Sequence, residues 1–292
     1  MKAKGRTDVR VVGQGGDGGT VDIGFACLSG MFERNDDVLY LCYDNEAYMN
    51  TGVQRSGATP PAARTTTTPA VGPDPGNVFG QGKNLPAIAL AHEIPYVATA
   101  TVAELRDLEY KVRRAMDFRG ARYIHIFVPC PLGWDSASRD TVRIARLAKE
   151  TGLFPVFEAE HGEIISTSKI RRQLPVEDYL SIQGRYAHLF GKNPRTDIIA
   201  RIQASPSATS ASSICWESRD GQAVRDHARR RIEPGEQDRF LADRTAGLPR
   251  PAAALQQRLP AGRTSSNGST TPKKAATRAR GARSWPTIRS LP

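Results

Sequence analysis

No run in this 292-residue sequence approaches the roughly 18 consecutive apolar residues that a membrane-spanning helix needs. The stretch Met1–Arg10 is polar and charged and lacks the apolar segment of a signal peptide, so a cytoplasmic location without membrane contact is expected. Cysteine is scarce. Cys27, Cys42, Cys130 and Cys215 form no CxxC pair and no metal-finger spacing, which excludes a disulfide scaffold and a zinc finger. Cys27 and Cys42 sit in apolar stretches and are expected to be buried free thiols; Cys130 stands apart in VPCPLGW. His92, His125, His161, His188 and His227 show no HxxxH or HxxE spacing, and none is assigned catalysis. His125, alternating with Ile124 and Ile126, reads as a core imidazole. Ser56 lies in QRSGATP without a GxSxG elbow, which argues against a serine hydrolase.

A net charge of +11 invites a nucleic-acid reading. Up to residue 203 the charge is nearly balanced, so most of the excess belongs to residues 204–292. That stretch reads SPSATSASS, then becomes rich in Arg, Ala and Pro, and ends in RTSSNGSTTPKKAATRARGARS. With few aromatic or β-branched residues it is expected to be disordered, or the product of a shifted reading frame. It offers no aromatic platform for bases, so nucleic acid is not an expected partner. The basic cluster Lys169, Arg171 and Arg172 reads as a solvated face, or else as a contact for another subunit or ferredoxin.

Residues 1–203 form the expected folded domain. VRVVG at 9–13, VLYLCY at 38–43 and YIHIFV at 123–128 read as strands. Helical patterns run from about Thr20 to Glu33, Val102 to Met116, and Ser138 to Glu150. Alternation of strands and helices predicts a doubly wound α/β fold on a mainly parallel sheet. The unbroken apolarity of VLYLCY and YIHIFV suits central strands covered on both faces. The stretch from Asp44 to Pro86 has little periodicity, and structureless loops of that length inside a compact domain are usually functional.

VRVVGQGGDGGTVDIGFACLSG runs from a strand through glycines into a helix, with Thr20 expected to cap its first turn. A helix N-terminus of this kind suits an anion. Gly13, Gly15 and Gly18 satisfy GxGxxG, and Asp44 ends the next strand, so a nicotinamide-binding Rossmann domain is one reading. Asp17 among the glycines would repel a pyrophosphate unless a cation stood between them. Asp44-Asn45-Glu46-Ala47-Tyr48 supplies hard oxygen donors one strand later, which favours a metal-bridged phosphate.

The combination of GGDGGT with LCYDNEAYMNTGVQRSGATP resembles the thiamine-diphosphate motif of β subunits of pyruvate-type 2-oxoacid:ferredoxin oxidoreductases. The likeness continues through KNLPAIALAHEIPYVATA, YIHIFVPCPLGW and LPVEDYLSIQGRYAHLF, covering about residues 9–203. It implies the thiamine-diphosphate-binding fold. It also implies oxidative decarboxylation of pyruvate, or of a related 2-oxoacid such as phenylglyoxylate, to acyl-CoA and CO2, with electrons leaving through iron–sulfur clusters to ferredoxin. By the same resemblance Mg2+ is held by the Asp17 carboxylate, the Asn45 side-chain oxygen and the Ala47 carbonyl. Gly16, Gly18 and Gly19 let amides approach the diphosphate, and Asn50, Thr51 and Gly52 lie near the thiazolium and substrate, with Asn50 and Thr51 as the catalytic candidates.

In this family the glutamate that works on the aminopyrimidine belongs to the α subunit, so the chain is expected to need that partner, along with ferredoxin or an electron-transfer subunit, coenzyme A and the 2-oxoacid. The family's cysteine-rich segment for a [4Fe–4S] cluster has no counterpart here; Cys130 matches the one remaining cluster cysteine. Either the missing part is encoded separately, or the reading frame is truncated and Cys130 is idle, the second being the preferred expectation. An inert fragment or a basic-tailed interaction module is the non-enzyme alternative.

Overall fold

The computed structural model describes residues 5–205 other than residues 7, 69–71, 73 and 74. The expectations for the basic stretch beyond residue 205 therefore lie outside the described residues.

Strand β1 (Val11–Gly16) leads through Asp17 into a π-helical turn, Gly18–Ile23, and then helix α1 (Phe25–Glu33). β2 (Val38–Asp44) ends at the long loop, whose described residues form no helix or strand until α2 (Leu85–Ala91). Asn84 starts α2 by accepting the Ala87 amide at 3.1 Å, with Pro86 in the first turn where no backbone donor is needed. Next come β3 (Tyr96–Thr101), α3 (Leu105–Asp117), β4 (Arg122–Phe127), the short α4 (Pro131–Trp134) and α5 (Thr141–Glu150). β5 (Phe157–Glu160) and β6 (Glu163–Thr167) form a hairpin, followed by α6 (Val176–Leu180), a 3-10 turn at Gly184–Leu189 and α7 (Thr196–Gln203).

The sheet order is β1-β2-β4-β3-β5-β6. The first four strands in that order run parallel; β5 and β6 attach antiparallel at one side. Side-chain alternation sends Leu39, Leu41, Ile124 and Ile126 toward α3, while Cys42 and Tyr123 pack with Leu28, Phe32, Leu85 and Ala89 of α1 and α2. Both faces are thus covered, and every residue of β3 and β4 is buried. A third cluster packs α5, α6 and α7 around Trp134 and Phe127. The fold is doubly wound and mainly parallel. No helix among the described residues is long and apolar enough to cross a membrane.

Two local expectations are corrected. β1 does not stop at Gly13 but runs on through the glycines to Gly16, because parallel pairing with β2 continues to Gly16 opposite Tyr43. Thr20 does not cap a helix: its hydroxyl donates to the Gly16 carbonyl at 2.6 Å and lies 3.1 Å from the Tyr40 hydroxyl. Cys42 is buried as expected, whereas Cys27 is exposed on the outer side of α1. Lys169, Arg171 and Arg172 are exposed.

Candidate functional site at the ends of the first two strands

β1 and β2 end side by side, so the residues that follow them, Asp17 and Asn45, emerge together at the carboxyl edge of the sheet. That edge is where open parallel sheets bind ligands. The turn after β2 is shaped by Asp44, whose Oδ1 accepts the Glu46 amide at 2.8 Å, and by Glu46 itself, held in the left-handed region at φ 63°. Non-glycine residues adopt that conformation at a cost, and such strain gathers at functional sites. Its effect here is to turn the Ala47 carbonyl and the Asn45 side chain toward Asp17.

One end of the Asn45 amide stands 2.8 Å from the Ala47 carbonyl oxygen and 3.0 Å from Asp17 Oδ1. With the nitrogen at this end the amide donates to both, which is the satisfied arrangement of the metal-free chain. With the oxygen there, three oxygens converge and need a cation. Metal–oxygen bonds of about 2.1 Å at right angles place neighbouring ligands about 3.0 Å apart, so the spacing fits an octahedral Mg2+-like ion. The Asn45 amide therefore meets each of the other two expected ligands, and the donor set fits a hard divalent cation.

Asp17 is 1% exposed. Burial pushes its pKa up to about 7, the nearby Asp44 pushes the same way, and hydrogen bonds from Ser56 and the Asn45 backbone oppose both. A carboxyl so unwilling to stay charged in a metal-free pocket gains most from a cation. Asp44 is engaged on both oxygens, its Oδ2 lying 2.8 Å from His125 Nε2 and its Oδ1 accepting the Glu46 amide. His125 is a satisfied core imidazole, its Nδ1 lying 2.6 Å from the Tyr123 hydroxyl. Burial opposes its charged form, but the Cys42 sulfur and the Asp44 carboxylate hold its pKa up at about 10.

The ligand loop is braced from behind. Trp134 Nε1 donates to the Asn45 carbonyl at 2.9 Å, and the Arg185 guanidinium lies 3.6 Å from the Trp134 ring centre. Arg185 Nη2 is also 2.6 Å from Glu46 Oε2, off the line of a hydrogen bond. Burial raises the Glu46 pKa to about 7 in spite of that cation. A cavity of about 390 Å³ lies behind the loop, with Asp44, Glu46 and His125 in its wall, but none of the three converging ligands lines it.

The glycines divide into two groups. A Cβ on Gly13 would stand 2.9 Å from the Tyr40 ring, one on Gly15 would meet the Tyr40 hydroxyl, and one on Gly18 would meet the Tyr48 ring. All three members of the literal GxGxxG make room for tyrosines, which accounts for glycine there without invoking a pyrophosphate. With Asp44 engaged as well, the Rossmann reading loses its support. Gly19 has open space around it, and Gly16 has only the Tyr43 carbonyl at 3.9 Å. At these two positions the space a side chain would occupy is open.

Asn50, Thr51 and Gly52 form an exposed turn beyond Tyr48, closed by paired backbone bonds between Tyr48 and Gln54. Thr51 Oγ1 donates to Gln54 Oε1 at 2.5 Å. Cys130 is half-buried just ahead of α4. No group of three or more His, Cys, Asp or Glu side chains gathers around a metal-sized space among the described residues.

Several contributors escaped sequence reasoning. Tyr48 donates to the Gly18 carbonyl at 2.9 Å, and Asp22 accepts from the Gly57 amide and from Lys83 Nζ, both at 2.7 Å, tying the long loop to the π-helical turn. Ser56, fully buried, donates to Asp17 Oδ2. Trp134 and Arg185 lie inside the blocks VPCPLGW and QGRYAHLF, where the only available signal was their presence in a family-like segment.

The family model described as "Thiamine pyrophosphate enzyme, C-terminal TPP binding domain" matches residues 1–126. The pyruvate synthase subunit PorB of Methanosarcina barkeri is 50% identical over 205 residues, which is 70% of this chain and 69% of the relative. The subunit of the same name from Methanothermobacter thermautotrophicus is 45% identical over 75% of this chain and 72% of its own length. The ketoisovalerate oxidoreductase subunit VorB of Pyrococcus abyssi is 45% identical over 64% of this chain and 61% of its own length. Identity at this level over more than two thirds of this chain and of each PorB relative shows that the chain belongs to the family of thiamine-pyrophosphate-binding β subunits of 2-oxoacid:ferredoxin oxidoreductases.

Proposed function

We propose that this chain supplies the diphosphate half of a thiamine diphosphate site in an enzyme that oxidatively decarboxylates a 2-oxoacid, with pyruvate first among the substrates, to acyl-CoA and CO2. The observation that carries the reading is the approach of one end of the Asn45 amide to within 3.0 Å of Asp17 Oδ1 and 2.8 Å of the Ala47 carbonyl oxygen, separations that neighbouring ligands of an octahedral ion would have. Asp17 and Asn45 hold Mg2+ through their side chains and Ala47 through its carbonyl, and the open space at Gly16 and Gly19 admits the diphosphate. When bound, thiamine diphosphate supplies the electron sink for loss of CO2. The protein's part is to neutralise and orient. Buried Asp17 offsets the cation's charge, Trp134 and Arg185 fix the Asn45–Ala47 backbone, and Asn50 and Thr51 at the exposed turn meet the substrate.

Curated relatives named for pyruvate and for ketoisovalerate both match this chain closely, at 50% and 45% identity in two of them. That range supports a small or branched aliphatic 2-oxoacid over phenylglyoxylate. The relatives are named as subunits, which supports assembly with an α subunit carrying the pyrimidine-side glutamate and with a ferredoxin-directed electron path. Cys130 does not fit a [4Fe–4S] cluster by itself, since a cubane takes four ligands and no second thiolate joins it among the described residues. No electron-transfer step is assigned to it.

The test is calorimetric titration of the full chain with thiamine diphosphate, with and without Mg2+. Binding that requires the metal and is lost in Asp17→Ala is the expected outcome. Binding of NAD without metal would replace this reading with the Rossmann one.

A further inference from the structure

The short turn Ser56-Gly57-Ala58-Thr59 touches both halves of the metal site at once. Ser56 Oγ donates to Asp17 Oδ2, the carboxylate oxygen that does not face Asn45. Both residues are buried, Ser56 at 0% exposure and Asp17 at 1%. The direction of the bond is fixed locally: Ser56 Oγ accepts the Ala58 amide at 3.2 Å, so its own proton is left to point at Asp17. At the other end of the turn, Thr59 Oγ1 accepts the Ser56 amide at 2.9 Å and donates to the Glu46 carbonyl at 2.6 Å. Glu46 lies between the two loop ligands, Asn45 and Ala47. The turn therefore sets the carboxylate at the end of β1 in register with the oxygens that follow β2.

We propose that Ser56 is a positioning residue that makes Asp17 a one-oxygen ligand and so selects Mg2+ over larger cations. This rests on the function proposed above and adds what determines the ion. With Oδ2 engaged by a hydroxyl, only Oδ1 faces the cation. Mg2+ requires single-oxygen ligands at octahedral positions, whereas Ca2+ accepts two-oxygen carboxylates and higher coordination. Without the hydroxyl, Oδ2 swings toward the metal, and the site becomes larger and more tolerant. Partners of this kind, which orient a ligand without touching the ion, typically alter metal affinity 10- to 100-fold.

The experiment measures thiamine diphosphate affinity of the full chain at saturating Mg2+ and, separately, at saturating Ca2+, for wild type, Ser56→Ala and Ser56→Cys, with thermal unfolding of each metal-free protein alongside. Ser56→Cys leaves no cavity, its side chain being somewhat larger, and replaces a strong donor with a weak one, so it serves if the alanine variant folds poorly. The expected result is a fall of about 10-fold or more in the Mg2+-supported affinity with a smaller change in the Ca2+-supported one, so that the Mg2+/Ca2+ ratio drops in both variants. A ratio equal to wild type in a folded variant overturns the role of Ser56 alone. If wild type shows no metal-dependent binding, the proposed function falls and the positioning role with it.

Discussion

Asp44 and His125, on neighbouring parallel strands, hold each other through an Oδ2···Nε2 contact of 2.8 Å, and this pair sets where β2 stops and the ligand loop starts. Because Asp44 is engaged by His125 and by the Glu46 amide, it is a structural post behind the proposed metal site rather than one of its proposed ligands. Replacing His125 with Gln leaves Asp44 buried without its cation, and breaking such a pair costs about 3–5 kcal/mol. Urea unfolding of the two proteins at pH 7 measures it. His125 has its pKa raised to about 10, so its contribution is complete below its ordinary value of 6.5 and is lost as pH rises through about 10. Wild type should therefore lose stability across that alkaline window more steeply than His125→Gln.

The two kinds of glycine should separate in a pair of substitutions. Gly18→Ala drives a methyl into the Tyr48 ring and should destabilise the metal-free chain by about 1–3 kcal/mol, as overpacking does. Gly19→Ala meets nothing within 4 Å and should leave metal-free stability within about 0.5 kcal/mol of wild type. Its methyl enters the space assigned to the diphosphate, so thiamine diphosphate affinity should fall. An unstable Gly19→Ala, or one that binds normally, contradicts the division.

Much of this arrangement was open to sequence reasoning, and the part that was not has a common cause. VLYLCY and YIHIFV are apolar throughout because β2 and β4 are covered on both faces, and burial of that kind shows in composition. The aperiodic stretch after Asp44 was recognisable as a long loop for the converse reason: among its described residues it forms no helix or strand, yet its polar residues are held in place. The end of β1 was misplaced because glycines usually end strands, and here they continue one so that Tyr40 can lie across them. Cys27 was misjudged because local apolarity does not say which side of a helix meets the core. Ser56, Trp134 and Arg185 act through contacts with residues 39, 89 and 139 positions away in the chain, and no local pattern encodes such partners.

Trp134→Phe tests the brace behind the loop. It keeps an aromatic ring under Arg185 but removes the indole donor to the Asn45 carbonyl. Leaving that carbonyl without its partner should cost about 1–3 kcal/mol in chemical unfolding. Metal-supported cofactor affinity should weaken as well, because the same backbone carries the amide ligand. A stability loss with unchanged affinity would limit Trp134 to the core.

The pH dependence of metal binding follows from Asp17. Burial, with the nearby Asp44 charge behind it, raises its pKa from 3.8 to about 7, so between those values the folded metal-free chain holds a proton that the unfolded chain has released. Stability from this group is present below about pH 4 and is lost as pH rises through about 7; Glu46, raised by burial from 4.5 to about 7, has the same sign. Mg2+ needs the ionised carboxylate, so its binding should strengthen up to about pH 7 and release protons below it. Titration at pH 6 in buffers of different ionisation enthalpy should show release approaching one proton per cation from Asp17. No release would mean that the cation does not bind this carboxyl.

The most direct measurement is a crystal structure of the chain grown with thiamine diphosphate and Mn2+, with the cation located by its anomalous scattering. The expected result is one ion with Asp17 Oδ1, Asn45 Oδ1 and the Ala47 carbonyl each about 2.1 Å away, as octahedral coordination requires, and with the Asn45 amide turned oxygen-inward. An ion bound elsewhere, or a diphosphate seated with the Asn45 nitrogen still donating to Asp17 and Ala47, would contradict it.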